Sequence, residues 1–198
     1  MSTVRATHSC RRIAPAGGAS VVDELEDVRR LGYRAIKIHP HLSGFSARLE
    51  QLEGLFQAAA ALDLVIFYCT YMHCRIEDYP PADPLYSLVW LLKRCPRARV
   101  VLVHGGDVRL MEYAELVRFN PNLLLDLSLT VIKYRGSSVD ADIRFLARGF
   151  DRRICVGTGF PEYSHADLRV RLDELFEDLE PDKVENIAYR NLEMFLAP

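Results

Sequence analysis

Histidines and carboxylates cluster where the buried strands of this sequence are predicted to end. Four of the six histidines follow such strands directly or lie a few residues beyond them: His39, His41, His73 and His104. Two carboxylates take similar positions, Asp126 and Glu162. In parallel α/β folds the reactive residues lie at the carboxyl ends of the strands. Imidazoles and carboxylates in that place can bind a divalent metal or transfer protons.

Each of these residues also has an interpretation without function. His39 precedes Pro40 and can simply end a strand. His41 and His73 can be solvated loop residues. Asp126 can accept a hydrogen bond from a neighbouring backbone N–H or a lysine. His104 precedes two glycines, which let backbone or ligand approach closely, and it is therefore the strongest of the candidates.

The strands that would position these residues are short and almost continuously apolar. This pattern is typical of strands buried on both faces, as in a parallel sheet. Five runs have it, and Arg12–Ala14 is a weaker sixth: Ala35–Ile38, Leu64–Cys69, Val100–Val103, Leu123–Leu127 and Ile154–Val156.

Amphipathic segments with helix-capping residues separate the strands. Gly32 is predicted to end the first helix, and a final helix is predicted near Lys183–Leu196. Helix starts are predicted at Ser20, at Asp83-Pro84, at Asp107, at Ser138 and at Ser164 with Asp167.

Strand–helix alternation along the whole chain predicts one parallel α/β domain over residues 1–198. It can close as a barrel or remain an open doubly wound sheet. Glycine-rich dinucleotide and P-loop motifs are absent from the sequence, and Gly105-Gly106 alone is weak support for a phosphate site in an open sheet. A full eight-stranded barrel needs about 250 residues. We therefore expect an incomplete barrel of about six β/α units, without the N-terminal strands of the full fold.

Charge and cysteine content exclude several classes of protein. The net charge of −2 offers no general attraction to nucleic acid or to an anionic membrane. The sequence has no apolar run long enough to cross a bilayer. Five cysteines without a C-x-x-C pair argue against a disulfide framework and a zinc ribbon. A reducing cytoplasm is the simplest compartment.

Five segments, taken in order, resemble the amidohydrolase-related family of metal-dependent hydrolases and decarboxylases. They are GYRAIKIHPHLSGF at 32–45, ARVVLVHGG at 98–106, NPNLLLDLS at 120–128, RRICVGTGFPE at 152–162 and VENIAYRNLEMFL at 184–196. The resemblance implies a barrel fold and a divalent metal, most often zinc. It also implies that this metal is held by a first-strand H-x-H pair, further strand-end histidines and a last-strand aspartate.

This chain departs from that family pattern at several positions. Tyr68 stands where the family often has a histidine, and Gly159 stands where it has the aspartate. His104 matches a family site position, whereas Lys37, His39 and Asp126 match positions near the substrate. No H-x-H pair precedes residue 32. Because a catalytic zinc usually has three protein ligands, the metal site is expected to be degenerate.

The resemblance favours a hydrolase acting on a small amide or carboxylated substrate. We predict His104, Asp126 and Lys37 as catalytic residues, and His39, Tyr68 and Glu162 as substrate-binding residues. Any metal would be held by His104 together with His39, His41 and His73. The alternative is an inactive member of the fold that serves as a binding or partner subunit. Because unpaired sheet edges must be covered, we also expect a homodimer or a partner protein.

Overall fold

A computed structural model describes residues 10–12, 21–40, 49–71 and 83–197 of the chain. These residues belong to two compact units. The first unit is drawn from Met1–Tyr68 and Ile76–Arg99, and the second from Cys69–Arg75 and Val100–Ala197. The prediction that residues 1–198 form a single domain stays a prediction.

The first unit contains a parallel sheet and three helices. Its strands are β1 (Cys10–Arg12), β2 (Ala35–Ile38) and β3 (Val65–Cys69), and β2 pairs with both of the others. Its helices are α1 (Val21–Arg30), α2 (Leu49–Ala61) and α3 (Pro84–Arg94). Apolar side chains of the helices are buried, among them Leu25, Phe56 and Leu88. Burial of such side chains is the main stabilising term of an α/β layer.

The second unit repeats this plan with three further parallel strands. They are β4 (Val100–Val103), β5 (Leu123–Asp126) and β6 (Ile154–Cys155). In the register, Asp126 lies beside Val103 of β4 and beside Cys155 of β6. The helices are α4 (Leu110–Phe119), α5 (Thr130–Lys133), α6 (Ser138–Gly149), α7 (His165–Leu175), α8 (Pro181–Glu185) and α9 (Asn191–Leu196), with a π-helical turn at Asn186–Arg190.

Two arginine side chains, one half-buried and one buried, hold the second unit together by donating to backbone carbonyl groups. The Arg153 guanidinium donates to the carbonyls of Val117, Asn120 and Leu123 at 2.6–3.0 Å. Its burial lowers the pKa of Arg153 from the ordinary arginine value. Arg171 donates to the Val131 carbonyl at 2.8 Å and forms ion pairs with Asp140 and Glu174. The carbonyls of Val117, Asn120 and Val131 lie at the C-terminal ends of helices, where the helix supplies fewer N–H donors, and the Leu123 carbonyl begins β5.

An asparagine anchors the last helix to β6. The Asn191 side-chain amide donates to the carbonyls of Asp151 and Ile154 at 2.6 and 2.7 Å. Asn191 is buried and immediately follows the π-helical turn. The segment at 184–196 is therefore fixed to the sheet through one polar side chain.

The predicted parallel α/β architecture is confirmed, and most predicted elements are found. The described residues contain six strands, the number expected from the sequence. Asp83 caps α3, Ser164 and Asp167 form a capping box on α7, and Gly32 follows α1 with φ 84°. Ser20 lies outside the described residues. No helix in the described part of the chain is long and apolar enough to cross a membrane.

One predicted helix start is wrong, one cap is displaced by one residue, and two helices were not predicted. Asp107 does not cap a helix, because Arg109 is the N-cap of α4 and Asp107 belongs to a tight turn with φ 59°. Ser137, one residue before the predicted Ser138, caps α6 through its hydroxyl. Neither α2 nor the single-turn helix α5 was predicted from the sequence.

Candidate functional site

A tight turn of four residues follows β4 and places a histidine at the end of the strand. His104, Gly105, Gly106 and Asp107 all have positive φ, between 59° and 79°. A side chain at Gly106 would collide with Tyr113, whose Cδ2 atom lies 2.0 Å from the position of an added Cβ. The two glycines therefore allow the backbone to turn directly over α4.

Thr70, just beyond β3, holds this turn in place. Its hydroxyl donates to the Val103 carbonyl at 2.6 Å and accepts from the Gly106 N–H at 2.7 Å. The backbone N–H of Thr70 also donates to the Val103 carbonyl. Because Thr70 is buried, loss of these bonds would leave polar groups without water.

The His104 ring is oriented by the segment that follows β5. Its Nδ1 lies 2.8 Å from the Ser128 carbonyl oxygen, and a carbonyl can only accept. The proton is thus on Nδ1, which leaves the lone pair of the neutral ring on Nε2. The Thr130 hydroxyl donates to the His104 carbonyl at 2.6 Å. A histidine held in this way presents Nε2 as a base or a metal ligand.

Asp126 supports the same segment from the end of β5. Its carboxylate accepts from the Ser128 N–H at 3.0 Å and from the Ser128 hydroxyl. The buried Cys155 thiol lies 4.0 Å from the carboxylate, and burial together with the charge of Asp126 raises the pKa of Cys155 well above its ordinary value. Ser128 therefore connects two of the three residues predicted as catalytic, with its side chain on Asp126 and its carbonyl on His104.

Ser128 does not complete a serine-protease type of triad. In such a triad the histidine takes the proton from the serine hydroxyl. Here the hydroxyl donates to Asp126, and the histidine contacts the carbonyl oxygen of the same serine. The arrangement fixes the position of His104 rather than activating Ser128 as a nucleophile.

A lysine between two tyrosines lies next to His104. Lys133 Nζ donates to the Tyr71 hydroxyl at 2.7 Å and is 4.6 Å and 5.3 Å from the ring centres of Tyr71 and Tyr134. The Tyr71 ring meets the His104 ring edge-on, with 5.6 Å between centres. Burial disfavours the ammonium, but the Tyr71 hydrogen bond and the electrostatic effects of Tyr134 and Asp107 outweigh it and raise the pKa of Lys133.

Asp107 adds a buried negative charge to this cluster. It is 1% exposed, and its charge and hydrogen bond act on Tyr134. Burial comes first among the causes that raise the pKa of Tyr134, followed by Asp107. Because the pKa of Lys133 is raised, its ammonium stays protonated at neutral pH, with Asp107 nearby.

Three predicted site residues lie in the first unit. Lys37 is a half-buried residue of β2 in register with Phe67, and His39 follows the same strand. Tyr68 is 3% exposed and packs edge-on against Phe56 of α2, with 6.1 Å between ring centres. Tyr68 therefore contacts a helix through its ring. The roles predicted for these three residues stay predictions.

The segment after β6 differs from the strand ends of β4 and β5. Gly159 has φ 73°, and a Cβ atom added there would lie 3.0 Å from Leu129 Cβ and 3.3 Å from the Leu129 backbone. Glu162, the predicted substrate-binding carboxylate, is exposed. Leu129 thus occupies the space beside the position where the resemblance calls for an aspartate.

The described residues do not bring together a set of metal ligands. No group of three histidine, cysteine or acidic side chains that could hold a metal ion occurs among them. Both carboxylate oxygens of Asp126 accept hydrogen bonds from Ser128. The predicted ligands His41 and His73 lie outside the described residues. The donor set that can be described does not fit the metal centre that the family resemblance implies.

Sequence reasoning missed the residues that orient His104. Thr70, Ser128 and Thr130 each follow a strand by one to four residues, and their small hydroxyl side chains gave no sign of a shared function. Lys133 comes seven residues after Asp126, and the short helix α5 brings it back toward Tyr71. A rule that hydroxyl residues beyond buried strands hold neighbouring turns would have identified the threonines and the serine.

Comparison with known proteins agrees with this fold. The sequence profile of the Amidohydrolase family matches residues 8–191. An uncharacterized TIM-barrel protein from Bordetella bronchiseptica is similar with a TM-score of 0.73 and 21% identity, over 96% of this chain and 66% of that one. Dihydroorotase from Campylobacter jejuni is similar with a TM-score of 0.67 and 14% identity, over 96% of this chain and 64% of that one.

These comparisons confirm the predicted fold class, an incomplete parallel β/α barrel of amidohydrolase type. None of the proteins with curated descriptions matches the sequence. The chain spans about two thirds of the length of the two solved structures. Since the family profile covers almost the whole sequence, the chain belongs to the Amidohydrolase family.

Proposed function

We propose that this protein is a hydrolase of small amide or carboxylated substrates, with its reactive centre at the strand ends of β4 and β5. One observation carries the proposal: the 2.8 Å contact between His104 Nδ1 and the Ser128 carbonyl, which leaves Nε2 to accept a proton. Family membership supports hydrolysis as the reaction class.

In the proposed reaction His104 acts first as a base and then as an acid. Nε2 takes a proton from water as its oxygen attacks the substrate carbonyl carbon, and the carbonyl electron pair moves onto the substrate oxygen. When this electron pair returns, the carbon–nitrogen bond breaks, and Nε2 gives its proton to the leaving amine. The Ser128 carbonyl stabilises the protonated ring throughout, and Asp126 holds Ser128 in place.

Whether the protein binds a metal ion has to be measured. The family usually uses a divalent ion, zinc being our prediction, and a bound ion would polarise the carbonyl and activate water. Our predicted ligands, His104 with His39, His41 and His73, stay a prediction, as do the roles of Lys37 and Glu162. Metal content by mass spectrometry of protein purified without chelator, beside a His104→Ala variant, decides whether an ion depends on His104.

Hydrolysis of a panel of linear and cyclic amides and small carboxylated compounds tests the proposed function. We expect His104→Ala to reduce kcat/KM by at least about a hundredfold for any compound that is turned over. His165→Ala is the matched control, because this histidine is itself exposed at the start of α7, and its loss should leave the rate unchanged. Equal loss in both variants, or none in either, would contradict the assignment of His104.

A second candidate is a binding or partner subunit without catalysis. It is favoured by Gly159, whose backbone conformation and contact with Leu129 leave little room for the aspartate of the family pattern. In that case no amide of the panel would be hydrolysed, and candidate divalent ions would not raise the unfolding temperature, since a ligand of the native state must stabilise it.

We also propose that the chain pairs with a second copy or a partner protein through a sheet edge, because exposed backbone N–H and carbonyl groups at such an edge need partners. Light scattering coupled to size exclusion tests this. A mass of twice 22.6 kDa would support the homodimer, and a monomer would contradict it. We also propose that the protein is located in the cytoplasm.

A further inference from the structure

Arg171 is a buried arginine of α7 that reaches the short helix α5. Its Nε donates to the Val131 carbonyl at 2.8 Å. Its two terminal nitrogens form ion pairs with Asp140 of α6 and Glu174 of α7. A guanidinium is rigid and planar, so the two carboxylates fix the plane in which Nε meets the carbonyl. The side chain of Arg171 is therefore a fixed point against which α5 is held.

Val131 depends on this donor because α5 ends after one turn. The Arg135 N–H, which would bond to Val131 in a longer helix, donates to the Ile132 carbonyl instead. The Val131 carbonyl is thus a helix-terminal acceptor that receives its donor from a side chain, and the residue is buried. A helix of four residues is not stable by itself, so its position is determined by tertiary contacts such as this one.

The residues that hold His104 lie directly before Val131 in the chain. The Ser128 carbonyl is 2.8 Å from His104 Nδ1, and the Thr130 hydroxyl donates to the His104 carbonyl at 2.6 Å. Leu129, between them, has φ 67°, which strains a leucine and persists only where neighbouring contacts enforce it. An anchor at Val131 keeps this strained segment from relaxing away from the histidine.

The carboxylate partners of Arg171 also hold the chain just beyond α5. The second carboxylate oxygen of Asp140 accepts from the Gly136 N–H at 2.8 Å. Glu174 forms a further ion pair with Arg135. The arginine and its two carboxylates therefore hold the segment within α5 and again after its end.

We propose that Arg171 is a positioning residue for His104. Its contacts are with α5, α6 and α7, so it acts on the histidine through the Val131 carbonyl and the two residues that bond to His104. Without the guanidinium, α5 moves and the bond to Nδ1 weakens. The ring then also adopts the tautomer with its proton on Nε2, in which Nε2 cannot accept a proton. The consequence for the rate rests on the proposed function and deepens it, whereas the consequence for the ring does not depend on it.

Arg171→Gln tests this role, and Arg153→Gln is the matched control. Both arginines lie in the second unit and donate to backbone carbonyls, but Arg153 bonds to those of Val117, Asn120 and Leu123. Nitrogen-15 NMR of histidine-labelled protein at about pH 8 reports the tautomer, with His104→Gln to assign the signals. In Arg171→Gln the two ring signals of His104 should move toward each other, because the tautomers then exchange. In Arg153→Gln they should keep their wild-type positions.

The rate gives a second readout on any amide that the wild-type protein hydrolyses. Arg171→Gln should lower kcat about tenfold, since a displaced base costs rate even when the change is remote. KM should stay within about threefold, because substrate contacts are retained. Urea unfolding curves define conditions in which each variant is fully folded. Arg171→Lys keeps the charge without the rigid fork and should be intermediate in both readouts, and it replaces Arg171→Gln if that variant does not fold.

A folded Arg171→Gln protein with wild-type His104 signals would overturn the positioning role, and so would equal shifts in Arg153→Gln. The amide panel separates this inference from the proposed function. Shifted His104 signals in a protein that hydrolyses no amide would leave the role of Arg171 and remove the hydrolase function. Hydrolysis that needs His104, together with unchanged His104 signals in Arg171→Gln, would do the reverse.

Discussion

The strand ends of β4 and β5 and the segment after β6 lie in the same unit but are built in different ways. At β4 and β5, buried or partly buried hydrogen bonds join residues that are far apart in sequence, such as Thr70 to Gly106 and His104 to Ser128. After β6, the hydrogen bonds of Thr158–Ser164 connect residues two to four apart, and Glu162 is exposed.

This difference indicates that side chains at the ends of β4 and β5 are held in fixed orientations, as catalysis requires. A reactive group must stay close to its productive geometry, and long-range buried bonds provide that restraint. His104 has partly buried long-range hydrogen bonds on its ring and on its carbonyl. The segment after β6 has a glycine where the family pattern has an acid. We infer that the chemical capacity of the described chain is concentrated at β4 and β5.

The largest effect is expected from Gly106→Ala, which tests whether the turn after β4 is as closely packed as this contrast requires. The new methyl would overlap Tyr113, and alanine disfavours φ 79°. We expect a loss of about 3–5 kcal/mol in the free energy of unfolding, measured with urea.

Gly136→Ala is the matched control for that substitution. Its φ of 81° is similar, but a Cβ atom there meets nothing within 4 Å, so the loss should be only about 1 kcal/mol. Similar losses in the two variants would mean that backbone conformation alone, and not packing on Tyr113, determines the turn.

Gly159→Asp tests the other side of the comparison by introducing the family's acid after β6. The close contact with Leu129 and the positive φ should together cost about 2 kcal/mol of unfolding free energy. Aspartate tolerates positive φ better than most residues, so Gly136→Asp should cost about 1 kcal/mol or less. A stable Gly159→Asp variant with raised amide hydrolysis would break the comparison, because the segment after β6 would then accept a catalytic acid.

The smallest effect concerns Cys155, which lies between the two regions, on β6 but next to Asp126. Its raised pKa means that the folded protein keeps the thiol proton at pH values where the unfolded chain loses it. The stability that this contributes is fully present below about pH 8.5 and is lost as pH rises above that value.

Wild type should therefore lose more unfolding free energy than Cys155→Ala between about pH 8 and pH 10. Cys69 and Cys95 are present in both proteins, so the difference between their pH profiles isolates Cys155. Parallel profiles would contradict burial of this thiol beside a charged carboxylate.

The sequence predicts the regular elements well and the site only in part. Continuous apolar runs are a strong signal, and Val100–Val103 is found with the predicted bounds. The helix start at Asp107 was wrong because positive φ at four successive residues cannot be read from residue types, even with two glycines. His104 was predicted as a site residue from its place after a buried strand, and its role stays a prediction.

The partners of His104 depend on long-range contacts, which sequence patterns do not contain. Thr70 reaches Val103 across 33 residues, and Lys133 reaches Tyr71 across 62. Tyr68 lies in one of the continuous apolar runs, but the direction of its ring toward Phe56 depends on packing against α2. Contact partners and ring orientations of this kind are determined by tertiary structure, not by the local sequence pattern.

The protonation of the His104 ring tests the central claim most directly. Nitrogen-15 NMR of histidine-labelled protein at about pH 8, where an ordinary histidine is neutral, distinguishes the two tautomers. His104→Gln assigns the signals. The structure predicts a ring protonated at Nδ1, with Nε2 carrying the lone pair. A ring protonated at Nε2 would contradict the Ser128 hydrogen bond and, with it, the proposed role of His104 as the base.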